Sequence, residues 1–409
     1  MNSDNIMTKR FDVVICGGGL VGLTLGLAMG RYGVKTAIID STPVDKMVAS
    51  SFDGRVSSIA LGSKHVLETI GVWHHLNLSA QEILEIRVSD GNSPFFLHYD
   101  HMELGDEPLG WMVENRLLRG ALISEVEKCD VVEHLTPVTV SAVSFDENYT
   151  TLSLSDGTDL SANLAVGADG RRSFLRNLAQ IDTIEWPYKQ IGIVCTVRHQ
   201  FSHNSIAHEK FRPSGPFAIL PMTNNRSSLV WTESANLAPK ILNLPDEIFL
   251  SELSDRLGDF LGEIQVDGPR WSYPLSLCQA RSYIAPRLAL IGDAAHAIHP
   301  IAGQGFNLGI RDCATLAEIV VERLRLGLDV GSPDLLQKYE RLRRFDSMML
   351  AGVTDGLNRI FSNDLPPLKL LRGAGLASIN QMPPLKRIFM RHAMGLSGNL
   401  PRLAQGKPI

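Results

Sequence analysis

Glycine stands at positions 17, 19 and 22 of a Gly-Gly-Gly-Leu-Val-Gly run, and an acidic residue, Asp40, follows about twenty residues after it. This spacing suits a pyrophosphate. Gly17 permits a tight turn, Gly19 lets backbone N–H groups approach the anion, and Gly22 lets a helix pack closely on a strand. The N–H groups of Leu20 and Val21, at the start of that helix, add positive potential, and Asp40 can accept hydrogen bonds from ribose hydroxyls. The fingerprint alone does not separate FAD from NAD.

Two later stretches carry further carboxylates: Gly167-Ala168-Asp169-Gly170-Arg171-Arg172-Ser173, with Arg176 beyond, and Ile291-Gly292-Asp293-Ala294-Ala295-His296, with Pro300 beyond. Asp293 follows an apolar run, so its carboxylate can reach a polyol or cap a helix. A third stretch, Gly303-Gln304-Gly305-Phe306-Asn307, lies at the start of a helix. Its N–H groups can stabilise negative charge.

These stretches need strands and helices to hold them. Phe11 to Cys16, Leu20 to Tyr32 and Val34 to Ile39 have the pattern of strand, helix and strand, with Gly33 ending the helix. Strands are expected near Val138 to Val143, Thr151 to Leu154, Leu164 to Val166 and Leu288 to Ile291, and a helix from about Phe306 to Leu326. Between Ile191 and Pro274 short strand-like runs, such as Phe217 to Leu220 and Ser228 to Trp231, predict an inserted β-rich domain. The uncharged stretch Val13 to Gly30 imitates a signal peptide or anchor, but three consecutive glycines argue against a membrane helix.

The signatures at 167–176 and 291–300, in this order, resemble the Asp-Gly and Gly-Asp signatures of class A flavoprotein monooxygenases. Together with Asp53-Gly54-Arg55, Val113-Glu114-Asn115-Arg116 and Gly303 to Gly309, they look most like the ubiquinone-biosynthesis hydroxylases of that class. The resemblance runs from about Phe11 to Gly395. It implies FAD, a para-hydroxybenzoate-hydroxylase-like α/β fold with a Rossmann-like FAD-binding domain, an inserted β-sheet substrate domain and a C-terminal helical region. The corresponding boundaries are 1–75, 106–180 and 275–332 for the first, 76–105 and 181–274 for the second, and 333–409 for the third. It also implies that Arg55 and Arg116 neutralise the pyrophosphate and ribityl region, that Asp169 lies beside the pyrophosphate, and that Gly303, Gln304, Gly305, Phe306 and Asn307 serve the pyrimidine end of the flavin. His296 is read as scaffold. The family commonly has glutamate where this chain has Asp40, which leaves the ribose geometry open.

In that class NAD(P)H reduces the flavin and one atom of O2 is delivered to an electron-rich ring in a dry pocket. With a single dinucleotide fingerprint, NAD(P)H is expected as a transient cosubstrate. The pocket is placed against Phe217, Leu220, Pro221 and Trp231, with Phe211 and Pro216 nearby and His299 and Pro300 at its rim; domain core is the competing reading for each. No acid–base residue stands out, so no catalytic base is assigned, and no metal site is read.

Composition bounds the alternatives. A net charge of −5 offers no field for nucleic acid. Five scattered cysteines without a C-x-x-C pair argue against a disulfide framework or zinc site and fit a reducing cytoplasm. From Asp364 onward Lys369, Arg372, Lys386, Arg387, Arg391, Arg402 and Lys407 face a single acid, interleaved with apolar residues. The tail is therefore read either as contact with an anionic inner-membrane surface, where a polyprenylated phenol resides, or as a packed helical hairpin with a solvated basic face. Flavin-dependent halogenation is disfavoured by the absence of a Trp-x-Trp motif. A noncatalytic flavin-binding subunit of a biosynthetic complex, and a hydroxylase of another small aromatic, remain open.

Overall fold

The computed structural model describes residues 9–48, 52–91, 96–298, 303–361, 372, 375 and 378–409. The first sheet grows from the glycine fingerprint. Strand β1 (Lys9–Cys16) is apolar and buried over its last four residues, and helix α1 (Leu20–Gly30) returns the chain to the parallel neighbour β2 (Thr36–Ile39). On its other side β1 pairs in parallel with β11 (Asp159–Gly167), which pairs in turn with β19 (Leu288–Leu290). The carboxyl ends of β1, β11 and β19 thus lie side by side, and each leads directly into one of the glycine-carboxylate segments. This is where open α/β sheets bind ligands. Helix α1 ends at Gly30, slightly before the sequence pattern suggested, and Gly33 (φ +82°) sits in the left-handed turn that follows.

The second sheet is largely antiparallel. Its order is β20 (His296–Ala297), β17 (Trp271–Ala280), β12 (Thr183–His199), β15 (Arg226–Ser234), β14 (Gly215–Met222), β13 (Ile206–Arg212), β5 (Glu85–Asp90) and β6 (Phe96–Asp100). β12 is far longer than the expected Ile191 to Val197, because its first half pairs with β17 and its second half with both β15 and β16 (Ile264–Val266). Within this region the expectation of strands alone is incomplete. A helix over Asp246–Leu257 places Phe249, Leu253 and Leu257 at a spacing of four and packs them on the sheet with Trp231 and Phe217.

Between the two sheets lies a small three-stranded one, β3 (Val56–Ala60), β7 (Gly110–Glu114) and β4 (Gln81–Ile83). The carboxy-terminal part is helical: Gln304–Arg325 packs on α1, then Pro333–Phe361 and Pro383–Ala393 follow.

Candidate functional site

Each glycine of the first fingerprint has a separate geometric reason. Gly17 has φ +113°, and a Cβ there would lie 2.3 Å from the Ala168 carbonyl oxygen; at Gly22 it would lie 1.9 Å from the Gly17 carbonyl oxygen. No side chain fits either place. At Gly19, by contrast, nothing lies within 4 Å of the added atom, so that face of the turn is open. Leu20 and Val21 follow in the first turn of α1, and Val21 is the side chain against which Gly292 and Gly309 close.

Asp40 already has two backbone partners. Its Oδ2 accepts from Gly18 N at 2.7 Å and its Oδ1 from Thr42 N at 2.7 Å, so the carboxylate braces the turn. Each oxygen retains a lone pair for a further donor. Beside it His134 Nε2 is buried without a partner.

The second and third signatures are stitched together. Buried Arg176 donates to the Arg171 carbonyl at 2.8 Å and to the Ala294 carbonyl at 2.9 Å, while Arg171 hydrogen-bonds Ser276. Asp169 accepts from Leu175 N at 3.1 Å through one oxygen, and its other oxygen is buried without a partner. Asp293 opens on a cavity of about 420 Å³, shared with Arg171, Ser276, Gly303, Gly305 and Phe306. Asp293 is exposed to this cavity, and desolvation by the surrounding walls still raises its carboxyl above its ordinary range, against the opposing charges of His296 and Arg171.

The turn that aims Asp293 is held from below by a group the sequence reading missed. Asp312, fully buried, accepts from Gly292 N (2.9 Å), His296 Nε2 (2.7 Å) and Arg343 Nε (2.7 Å). Burial alone would raise its carboxyl, but the charges and hydrogen bonds of His296 and Arg343 hold it below the usual range. The signal was available: an aspartate on the apolar face of a strongly amphipathic helix needs a buried partner. His296 is thereby scaffold in this geometry.

Gly303, at φ +63°, caps the helix Gln304–Arg325, and a Cβ there would lie 2.9 Å from Ser58 Cβ. Gly305 and Phe306 reach the 420 Å³ cavity. Gln304 and Asn307 are directed elsewhere: Gln304 hydrogen-bonds the Ala393 carbonyl, and the Asn307 amide accepts from Ala60 N and donates to the Ser58 carbonyl, both at 2.9 Å. The Asn307 side chain is thus a splint between this helix and β3, since an amide matches the exposed N–H and C=O of a strand edge. Arg116 pairs with Glu114 at 2.7 Å, and exposed Arg55 lies 5.5 Å over the Trp271 ring.

Next to the first cavity lies a second of about 400 Å³; Val56, Ser58, Tyr273 and Gly303 line both. Its roof is one face of the second sheet, and here the expectations for Phe217, Trp231 and Pro221 are corrected. Phe217 and Trp231 point to the opposite face, into the aromatic core with Phe249. The reason is the two-residue period of a strand: Pro216, Ala218 and Leu220, with Ser228, Val230 and Thr232, line the cavity, so the residues between them cannot. Pro221 is buried with the parity of Phe217, outside the lining. Leu220 lines the cavity as expected, while Phe211 stacks on Phe361 at 4.2 Å. His299 and Pro300 lie outside the described residues. The lining also holds Glu209, Tyr273 and Trp271, none singled out from sequence.

Four features fit a flavin nucleotide: the open glycine turn at Gly19, the buried Asp169 oxygen lacking a donor, the cavity at Asp293, and the helix N-terminus at Gln304 beside that cavity. The family described as FAD binding domain matches residues 10–350. The chain is 50% identical to the ubiquinone hydroxylase UbiL of Rhodospirillum rubrum, over 98% of this chain and 94% of that protein. It is 32% identical to the mitochondrial ubiquinone biosynthesis monooxygenase COQ6 of Mus musculus, over 94% and 90%. Among solved structures it resembles p-nitrophenol 4-monooxygenase PnpA from Pseudomonas putida DLL-E4, with a TM-score of 0.80, 20% identity and coverage of 96% and 100%. PqsL of Pseudomonas aeruginosa follows at TM-score 0.75, 22% identity and coverage of 90% and 100%.

Proposed function

Because the chain belongs to the class A flavoprotein monooxygenases, in the branch of the ubiquinone-biosynthesis hydroxylases, we propose that it hydroxylates the ring of a polyprenylated phenol with FAD, NAD(P)H and O2. The observation that carries this reading is the pair of adjoining cavities, about 420 and 400 Å³, which share Val56, Ser58, Tyr273 and Gly303. One suits the flavin. The other, roofed by the sheet of the substrate domain (76–105 and 181–274), suits the ring to be oxidised.

Bound FAD supplies the reduction of O2 and the transfer of one oxygen atom. The protein supplies placement and dryness. Gly17, Gly19, Gly22 and the N–H groups of Leu20 and Val21 hold the pyrophosphate, with Asp169, Arg55 and Arg116 around it, and Asp40 takes the ribose. Asp293 fixes the ribityl chain, and the helix beginning at Gln304 presents N–H groups to the pyrimidine end. Pro216, Ala218, Leu220 and Val230 exclude water from the reacting ring, which keeps the oxidant from being lost as peroxide. NAD(P)H visits transiently, since the sequence holds one dinucleotide fingerprint.

The tail supports contact with a membrane surface on a narrower basis than the sequence suggested. Lys386 is buried and paired with Glu103, so it is withdrawn from the basic face, as is Met390 from the apolar one. Arg387, Ile388, Phe389 and Arg391 remain exposed, whereas Asp364, Leu368, Lys369, Leu370, Leu371 and Leu376 lie outside the described residues. Among the described residues no helix is long and apolar enough to cross a membrane.

The test is direct. Purified protein should oxidise NAD(P)H faster when a prenylated phenol is added and yield the hydroxylated ring by mass spectrometry; absence of both removes the reading. Asp293→Ala should purify largely colourless, and full flavin absorbance in that variant would remove Asp293 from the site.

A further inference from the structure

Glu209 lies on β13 at one end of a row of residues that crosses the sheet: it faces Ala218 on β14, which faces Val230 on β15, which faces Val194 on β12. All four residues line the 400 Å³ cavity. The carboxyl therefore stands at the edge of an otherwise apolar floor, and the small Ala218 beside it leaves room for a flat ring. Glu209 is 8% exposed, and its side chain makes no hydrogen bond or ion pair among the described residues.

A buried acid without a partner is costly, and folds do not retain one without cause. Two more groups in the same lining are in this condition. Ser228 Oγ and Thr232 Oγ1 are buried without a partner, at 0% and 1% exposure. The carboxyl, which alone of the three groups keeps some exposure, calls for a ligand with an apolar body and an oxygen atom at its rim.

We propose that Glu209 accepts the hydroxyl proton of a phenol bound in this cavity while the ring is being oxidised. The inference rests on the hydroxylase reading above and assigns the proton-transfer residue that reading lacks. The substrate O–H bond breaks, an O–H bond forms on Glu209, and the electron pair stays on the substrate oxygen. That charge enriches the ortho and para carbons, where an electrophilic oxygen atom is received. After the ring carbon's own hydrogen has shifted as a proton to the newly added oxygen and aromaticity has returned, Glu209 gives its proton back to the phenolate oxygen.

Burial supports the assignment by matching proton affinities. With desolvation as its single cause, the Glu209 carboxyl is pushed up to about 8, much nearer a phenol at roughly 10 than an ordinary glutamate is. Among the described residues, other charged groups on this side of the sheet are paired with one another: Asp90 with Arg372 at 3.0 Å, Arg226 with Glu114 at 2.7 Å, Arg198 with Asp267 at 3.2 Å, and Asp355 on the long helix with Arg359 at 2.9 Å. Arg55 stacks over Trp271, Tyr99 is pushed up to about 12 by burial, and Tyr273, 37% exposed, is raised in the same direction by partial desolvation, so both stay neutral. Glu209 is thus the group in this lining that changes charge near neutral pH.

The experiment compares wild-type holoenzyme with Glu209→Gln, an isostere that cannot take a proton, using 2-farnesylphenol as the probe. Its affinity is read from the perturbation of flavin absorbance, and its hydroxylation from product per turnover between pH 6 and 9.5. In the wild type, kcat should rise through an apparent pKa near 8. In Glu209→Gln that rising limb should vanish and kcat should fall about a hundredfold or more, with affinity changed less than about threefold, since ring burial persists. Glu209→Asp should recover part of the limb, and it decides the matter should the glutamine variant not fold. A limb retained in both variants, or a loss confined to affinity, overturns the proposal. Should the wild type itself bind the probe and never hydroxylate a prenylated phenol, the hydroxylase reading falls and this inference with it, whereas an active wild type matched by Glu209→Gln sinks Glu209 alone.

Discussion

The two faces of the second sheet are built from the same strands and serve opposite ends. On one face Phe217, Ile219, Leu229 and Trp231 close with Phe249, Leu253 and Leu257 into a dry core in which large rings meet edge and face. On the other, one residue along in each strand, Pro216, Ala218, Ser228, Val230 and Thr232 leave a cavity of about 400 Å³. The first face is filled by bulk and the second is kept open by small side chains. Size and parity, more than apolarity, separate a core from a pocket here.

The largest effect that would test this contrast is on the closed face. Trp231→Ala should lower stability by about 3–5 kcal/mol, measured by denaturant unfolding, because its ring is 1% exposed and lies between Phe217, Phe249 and the Arg256 guanidinium. A cost below about 1 kcal/mol would mean that this face is not a core.

The next effect belongs to the open face and depends on pH. Because the folded-state Glu209 carboxyl titrates at about 8 and an unfolded one near 4.5, the unfolded chain ionises first as pH rises. Stability associated with the neutral form is therefore full below about 4.5 and lost progressively up to about 8. Glu209→Gln should match the wild type in melting temperature at pH 4 and exceed it by several degrees at pH 9. Parallel curves across that range would show that the carboxyl is not desolvated.

A smaller structural effect with a large functional one is expected for Ala218→Phe. It should leave the melting temperature within a few degrees, because the ring enters existing space, yet block binding of a prenylated phenol, measured by flavin difference spectra. Smallest of all, Thr232→Val should change stability by about 1 kcal/mol or less, in the stabilising direction, by removing a buried hydroxyl that has no partner. Should Thr232→Val instead cost as much as Trp231→Ala, the two faces would not differ as described.

Much of the first sheet could be read from the chain. β1, α1 and β2 fall where the apolar runs and glycines place them, because a buried parallel strand needs a continuous apolar run and the turn after it tolerates no side chain at Gly17 or Gly22. The second sheet was legible as strands but not as faces. Phe217 and Trp231 were drawn to the pocket by their aromaticity, although period two says only that they share a face and not which neighbour that face meets. The helix Asp246–Leu257 was missed in the same region, because its three core residues are spread among charges.

What this sequence determined by itself is a turn built to hold a dinucleotide. A glycine turn between a strand and a helix is a local constraint, imposed by atoms a few residues apart, and it survives being read without a fold. What only the tertiary structure decided is the identity of the working side chains: that Asp312 supports the Asp293 turn through His296 and Arg343, and that Glu209 is stripped of water beside a cavity. Partnership and desolvation arise from groups distant in the chain. An aspartate or glutamate letter looks the same in the sequence whether it will meet an arginine, a substrate or water.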